Sequence, residues 1–201
     1  MSEDILINKA IRILSSGGVI IYPTETVYGL GADATNKMAV KKIFDIKRRD
    51  KLKPILIAFS SVEMAKKYVW WNKYADKLAS RYLPGPLSLV LSIKDDSIDE
   101  SIYQGGIKVG IRIPKNDFVL KLISSFNRPI TSTSANLSGE NPPIKVEDID
   151  DEVKGKVDLI IDKGKCDVGK PSTIVDVSSY PPKLIREGVI KFQEIMDVIN
   201  S

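Results

Sequence analysis

Residues Tyr22–Asp33 read YPTETVYGLGAD, and they come directly after the β-branched run GVII at Gly18–Ile21. The run suits a buried strand. Tyr22–Asp33 suits neither a core strand nor an ordinary solvated loop. Threonines, a carboxylate, tyrosines and glycines crowd into a few positions where the chain should leave a sheet. In α/β proteins, loops at strand ends carry ligand contacts on a rigid scaffold. The stretch therefore predicts an α/β fold with a polar site at the end of its first strand.

Elements alternate outward from this point. Ser2 is placed to cap a helix with Ile7, Ala10, Ile11 and Leu14 at helical spacing. Gly17 and Gly18 end it, and Gly18–Tyr22 reads as a strand. Asn36 is placed to cap a second helix that turns Val40, Ile43 and Phe44 inward. Pro54–Phe59 (PILIAF) reads as a buried strand. Ser61–Tyr68 and Asn72–Leu83 read as helices, the latter stopped by Pro84–Pro86. Leu87–Ile93, Ile107–Ile113, Pro129–Thr133, Val157–Asp162, Thr173–Val177 and Lys183–Arg186 read as strands. Helices begin after Asn116 and fill Phe192–Ile199. The expectation is a single α/β domain over residues 1–201 with a twisted mixed sheet flanked by helices.

Composition narrows the chemistry. The chain has 201 residues and no histidine, which excludes Ser-His-Asp and Cys-His catalysis and histidine metal sites. Its one cysteine, Cys166, excludes an internal disulfide. No apolar run reaches a membrane span, which takes about 20 residues, and no signal peptide is visible. A cytoplasmic location is expected. Such an enzyme would work by holding and polarising substrates, and Mg²⁺ would arrive with a phosphate ligand. Net charge is only +4, but seven cations lie between Lys41 and Lys53. Charge alone favours a solvated helix end; a phosphate site is the alternative.

Two phosphate motifs come close and fail. Gly164–Pro171 (GKCDVGKP) has Pro171 where a P-loop needs Ser or Thr, and a strand rather than a helix should come next. It reads as a glycine-rich turn. Gly29–Ala34 (GLGADA) is separated from the expected strand end by Pro23–Tyr28, unlike a dinucleotide-binding turn. Its glycines point instead to a backbone that something must approach closely.

A polar constellation remains: Thr24, Thr26 and Tyr28; Lys47 and Arg49; Arg112; Ser132, Thr133, Ser134 and Asn136; Ser172 and Thr173; and Arg186. Several fall at strand ends. Arginines suit carboxylates and phosphates, and the hydroxyls and amide add directed hydrogen bonds. Turn and cap chemistry is the competing explanation for each Ser, Thr and Asn taken singly.

Seven segments carry a resemblance. YPTETVYGLGADA (Tyr22–Ala34), KRRDKLKPILI (Lys47–Ile57), PGPLSLVL (Pro84–Leu91), VGIRIP (Val109–Pro114), STSANLSG (Ser132–Gly139), PSTIVDV (Pro171–Val177) and LIREGVI (Leu184–Ile190) run in the order of the YrdC/Sua5 family of threonylcarbamoyl-AMP synthases. The resemblance implies a YrdC-like fold with a concave basic cavity. It implies formation of L-threonylcarbamoyl-AMP and pyrophosphate from L-threonine, bicarbonate or CO₂ and ATP, the first step of tRNA N6-threonylcarbamoyladenosine synthesis. It implies that Lys47 and Arg49 (K-x-R) and Ser134 and Asn136 (S-x-N) serve the reacting nucleotide, with Lys53, Lys108 and Arg186 as further ATP contacts. It assigns Thr24, Thr26, Arg112, Ser132 and Ser172 to L-threonine, with Arg112 on its carboxylate. No metal ligand is assigned to a protein side chain; Mg²⁺ is expected with ATP. The implied partners are downstream proteins that transfer the threonylcarbamoyl group, and tRNA or double-stranded RNA.

The chain departs from the family in places. Asp50 and Glu187 stand where proline is common, and Ala58 stands where many two-domain members place a histidine near threonine. The chain resembles the short YrdC form, without a C-terminal Sua5 domain. Two other functions stay open: an RNA-binding or ribosome-assembly module using the same basic concavity, and a related carbamoyl-adenylating enzyme with another acceptor. Stacking residues are sparse (Trp70, Trp71 and seven tyrosines, without an RRM-like pattern), which argues against sequence-specific RNA reading.

Overall fold

The helices begin where the sequence offers a side-chain acceptor to the free N–H groups of a first turn. In a computed structural model that describes residues 2–50 and 53–201, Asn36 Oδ1 accepts from the N–H groups of Met38 and Ala39 at 3.0 and 3.1 Å. Ser61, Asn72 and Asn116 cap three further helices in the same way. Ser2 precedes the first helix but its side chain makes no cap bond; Glu3 and Asp4 supply the favourable negative charge there instead. Lys51 and Leu52 of the basic segment lie outside the described residues.

The chain order is α1 (Glu3–Ser15), β1 (Ile20–Tyr22), β2 (Gly29–Gly31), α2 (Lys37–Lys47), β3 (Ile57–Ala58), α3 (Val62–Tyr68), α4 (Lys73–Tyr82), β4 (Leu87–Ser92), β5 (Lys108–Arg112), α5 (Asp117–Phe126), β6 (Ile130–Thr131), β7 (Thr133–Ser134), α6 (Asp151–Lys154), β8 (Leu159–Ile160), β9 (Thr173–Asp176), β10 (Lys183–Arg186) and α7 (Phe192–Asn200). The α/β class with mixed strand pairing is as expected, but the strands divide between two sheets. One has the order β7-β2-β1-β8 and the other β10-β9-β4-β5-β3-β6. Both combine parallel and antiparallel neighbours.

The expected strand Pro129–Thr133 is the joint between the sheets. Its first half, β6, pairs with β3, and its second half, β7, pairs with β2. Thr131 fastens the crossing: its hydroxyl donates to the Leu30 carbonyl and accepts from the Ala32 N–H, both at 3.0 Å. PILIAF forms a ladder only at Ile57–Ala58. Upstream, the Ile55 N–H turns to the Ile102 carbonyl and the Leu56 carbonyl accepts from the Ser132 N–H, so backbone groups there are satisfied outside a sheet.

GLGAD is not a turn. Gly29–Gly31 is β2, antiparallel to β1, and Pro23–Tyr28 is the loop between them. What approaches the glycines is Tyr22. Its ring is fully buried and its hydroxyl donates to the Thr131 carbonyl at 3.0 Å. A β-carbon on Gly31 would lie 2.9 Å from Tyr22 Cε1, and one on Gly29 would lie 3.2 Å from Tyr22 Cζ. The glycines make room for the ring against the strand.

Gly31→Ala should therefore overpack this contact, at a cost of about 1–3 kcal/mol. Thermal melts should show a lower Tm for Gly31→Ala. In a Tyr22→Leu background the same change should cost clearly less, because the clashing ring is gone. Equal losses in both backgrounds would place the strain elsewhere.

Candidate functional site

Alternation along β5 builds the site floor. Lys108, Gly110 and Arg112 share one face of the strand, with Val90 opposite Gly110 and Ser88 opposite Arg112 on β4. Ile174 of β9 continues the face beside Ser88. Gly110 leaves room for the Leu56 side chain, since a β-carbon would come within 2.3 Å of Leu56 Cδ2. Above this floor lies a cavity of about 450 Å³, within the usual range for small-molecule sites. Its other wall is the loop after β1, the β6–β7 crossing and the segment Pro54–Leu56.

The cavity gathers residues from distant parts of the sequence. Thr26, Arg49, Lys108, Arg112, Ser132, Ser134, Ser172 and Arg186 all line it. No Asp or Glu among the described residues does. Thr24, Lys47, Lys53 and Asn136 stand behind or beside the wall. Thr24 organises its loop: its hydroxyl donates to the Val27 carbonyl at 2.7 Å and accepts from the N–H groups of Thr26 and Val27. Lys53 is exposed and offers its carbonyl to Arg49 Nε at 3.1 Å. Ala58 is buried beside Arg112 in the ladder and is not on the wall. Tyr28 and Thr173 serve structure: the Tyr28 hydroxyl donates to the Gly164 carbonyl at 2.6 Å, and that of Thr173 to the Ile190 carbonyl at 2.6 Å.

Lys47 is the most buried of the cations, at 1% exposure. Its ammonium donates to the carbonyls of Ser134 and Asn136 and, at 3.1 Å, to Asn136 Oδ1. The Ser134 hydroxyl donates to the same Oδ1 at 2.5 Å, and Asn136 Nδ2 donates to the Glu140 carbonyl at 2.6 Å. The side chains of Lys47, Ser134 and Asn136 thus form one network behind the β7 end of the cavity. Burial, reinforced by the Arg49 charge, pushes the Lys47 pKa down to about 7, although its acceptors favour the charged form. Arg48 ends α2 in the left-handed region at φ 47° and points outward to an ion pair with Glu152 at 2.7 Å. Arg49 turns to the cavity and bonds the carbonyls of Lys53 and Pro54; burial lowers its pKa, with the Asp50 charge opposing.

Arg112 is 5% exposed at the end of β5. Its Nη2 donates to Glu25 Oε1 at 2.8 Å and to the Thr26 hydroxyl at 3.2 Å. Its Nε is buried and has no hydrogen-bond partner among the described residues. Arg186 donates to the Ser172 carbonyl at 2.9 Å, and burial together with the Arg112 charge lowers its pKa. The Ser172 hydroxyl meets that of Ser88 at 2.9 Å. Lys108 pairs with Asp176 at 3.0 Å. Glu187 does not face this site; its carboxylate accepts from Lys191 Nζ and the Phe192 N–H at the start of α7.

Sequence reasoning overlooked Glu25, Ser88 and Asp176 as supports. Glu25 was visible as an acid between two threonines in a loop rich in hydroxyls. Ser88 and Asp176 sit in strand patterns and gain meaning only from the tertiary structure, which sets Ser88 opposite Arg112 in the ladder and brings Asp176 within 3.0 Å of Lys108.

A family model described as "Telomere recombination", for Sua5, YciO and YrdC, matches residues 12–188. This chain belongs to the Sua5/YciO/YrdC family. A Pyrococcus abyssi relative named threonylcarbamoyl-AMP synthase is 38% identical over 99% of this chain and 58% of its own length. A Methanocaldococcus jannaschii relative named putative threonylcarbamoyl-AMP synthase is 41% identical over 90% of this chain and 84% of its own. The crystal structure of P. abyssi Sua5 complexed with L-threonine superposes with a TM-score of 0.93 at 37% identity, over 99% of this chain and 58% of that one. The chain thus spans little more than half of the P. abyssi protein. In family terms, the S-x-N element and the lysine of K-x-R make up one network, in which Ser134 lines the cavity with Lys47 and Asn136 behind it, while the arginine of K-x-R reaches the cavity.

The Lys47 environment has a pH signature. Its folded pKa of about 7 lies below the ordinary 10.5, so between those values the unfolded chain binds more protons. Stability contributed by this group should rise with pH across that window. The difference in unfolding free energy between wild type and Lys47→Met should grow from pH 7 to pH 10 in denaturant titrations. A constant difference would mean that Lys47 titrates normally.

Proposed function

We propose that this chain is an L-threonylcarbamoyladenylate synthase. It would act in the cytoplasm in the first step of tRNA N6-threonylcarbamoyladenosine synthesis. The observation that carries the reading is the convergence of Arg49, Arg112 and Arg186 with the hydroxyls of Thr26, Ser132, Ser134 and Ser172 on one cavity, in a chain of this family. The names of the relatives and the threonine complex of P. abyssi Sua5 support it. The same convergence argues against an RNA-binding module: the cations line a recess rather than an open surface on which a strand could lie.

The chemistry suits a site without histidine. The threonine amine and bicarbonate give a carbamate with loss of water. A carbamate oxygen attacks the α-phosphorus of ATP, the bond to the β-phosphate oxygen breaks, and pyrophosphate leaves. The nucleophile is already anionic, so no base is required at that step. Alignment of two anions and stabilisation of charge on the phosphates are required. In this reading Arg112, with Thr26, Ser132 and Ser172, holds the threonine. Arg49, Lys108 and Arg186 hold the phosphates, and Lys53 adds positive charge nearby. Lys47, Ser134 and Asn136 fix the wall between them, and Thr24 shapes the loop that presents Thr26. The described residues hold no group of three or more Asp, Glu, Cys or His able to bind a metal ion. Mg²⁺ would enter as the ATP complex, held through phosphate oxygens. Downstream transfer proteins and tRNA complete the proposed set of partners.

Protein supplied with MgATP, L-threonine and bicarbonate should release pyrophosphate and form an adenylate. Pyrophosphate release indifferent to both threonine and bicarbonate would overturn the reading, and dependence on a different amine would point to another acceptor.

Single variants should separate the roles. Arg112→Ala removes a charged hydrogen-bonding partner, typically about 1.5–3 kcal/mol, so the KM for threonine should rise by about tenfold or more with ATP binding little changed. Arg49→Ala should lower kcat/KM for ATP by about 2–4 kcal/mol of transition-state stabilisation. Arg48→Ala should change it little, because an exposed ion pair is worth about 0–1 kcal/mol. Equal losses at Arg48 and Arg49 would indicate a diffuse basic patch.

A further inference from the structure

Glu25 is a buried charge that the proposed chemistry leaves unused. It is 6% exposed and does not line the cavity. Both carboxylate oxygens are engaged: Oε1 accepts from Arg112 Nη2 at 2.8 Å, and Oε2 accepts from the Lys115 N–H at 3.1 Å. Its own backbone is pinned, since its carbonyl accepts from the Val168 N–H at 2.9 Å. One side chain therefore ties the loop after β1 to the end of β5 and to the turn beyond it. Arg112 is held at this end of the cavity, and its buried Nε has no hydrogen-bond partner among the described residues.

The arginines of the cavity differ in this respect. Arg49 bonds the carbonyls of Lys53 and Pro54, and Arg186 bonds the carbonyl and hydroxyl of Ser172. The adjacent acid in the chain, Asp50, is exposed, and its charge opposes the effect of burial on Arg49 without overcoming it. Arg112 is the arginine of the three whose ion pair with a carboxylate is buried, at 2.8 Å. A multiply charged phosphate chain is attracted by net charge, which falls off slowly where screening by water is poor. A single carboxylate can still be held by the directed donors of a neutralised guanidinium. The pair therefore favours a monoanionic carboxylate over a polyphosphate at its end of the cavity.

We propose that Glu25 is a positioning and specificity-determining residue. It aims Arg112 at the amino-acid carboxylate and cancels enough of its charge to keep the phosphates of the nucleotide at the Arg49 and Arg186 end. The inference rests on the proposed reading that Arg112 receives the threonine carboxylate. Glutamine cannot replace Glu25, since one of its two polar atoms is a donor and both partners here are donors.

The test is calorimetric titration of the whole protein with L-threonine, with and without inorganic tripolyphosphate. Wild-type protein should bind threonine with an affinity that tripolyphosphate barely alters. A wild-type chain that binds no threonine would overturn the functional reading itself, before any variant is made. In Glu25→Gln, threonine affinity should fall by about tenfold, equivalent to about 1.4 kcal/mol, and tripolyphosphate should become a competitor of threonine. Glu25→Asp keeps the charge on a shorter arm. It should weaken threonine binding without gaining that competition, and Glu25→Ala, which removes the charge without adding a donor, takes the place of the glutamine variant if that one does not fold. Unchanged threonine affinity in the variants, a glutamine variant that loses threonine without new competition, or competition in Glu25→Asp would each overturn the proposal. A merely structural tether would lower affinity without changing which anion competes.

Discussion

A buried ammonium has to have its donors met, and the position of Lys47 commits the chain to one way of meeting them. Stripping a buried charge of a partner costs about 3–5 kcal/mol. At 1% exposure Lys47 finds its acceptors in the carbonyls of Ser134 and Asn136 and in the Asn136 amide oxygen. Those groups belong to the segment that has just crossed from one sheet to the other. The end of α2, the crossing and the wall of the cavity are thereby fixed as one unit. The side-chain bond from Ser134 to Asn136 and the tie from Asn136 to the Glu140 carbonyl extend it. A network of this kind is rigid because each member has a single way to be satisfied.

The charges around the cavity are sorted by their depth. Arg112 and Glu25 are both buried and neutralise each other. Lys108 also pairs with an acid, Asp176, but further toward solvent, and one carboxylate oxygen leaves the other donors of its ammonium to a phosphate. Arg49 and Arg186 instead bond neutral oxygens and keep their charge for the cavity. Burial first, and like-charge crowding after it, lower the pKa values of Lys47 and Arg186. An anionic ligand relieves that crowding, and so a site of this kind is biased toward binding one. The sheet makes the arrangement possible: alternate residues of β5 present two cations with a glycine between them, and the missing side chain at Gly110 admits Leu56.

The two motifs that resemble phosphate loops use their glycines in the ways the sequence suggested, and the structure supplies the partners. GLGAD looks like a turn because glycine is commonly a turn residue. It is a strand paired with β1, and its glycines leave room for the Tyr22 ring that lies against it. GKCDVGKP looks like a phosphate loop. It is a turn with Gly164 and Gly169 in the left-handed region, and β9 comes after it. Its backbone supports the β1 loop, with Gly164 accepting from Tyr28 and Val168 donating to Glu25. In both cases the glycines answer to a neighbour far away in sequence.

What the sequence determined by itself was local chemistry. Asn36, Ser61, Asn72 and Asn116 marked helix starts because a cap is a contact between residues two or three apart. The hydrophobic periods located most strands, and the absence of histidine bounded the mechanism. The resemblance also named residues that line the cavity, Thr26, Arg49, Lys108, Arg112, Ser132, Ser134, Ser172 and Arg186, along with Thr24, Lys47, Lys53 and Asn136, which do not. Only the tertiary structure split Pro129–Thr133 between two sheets, set Ser88 against Ser172, and buried Glu25 against Arg112, 87 residues away. Pairings at that range depend on strand order and register. A one-residue slip would turn every side chain of a strand to its other face, and no local pattern in the sequence records which register wins.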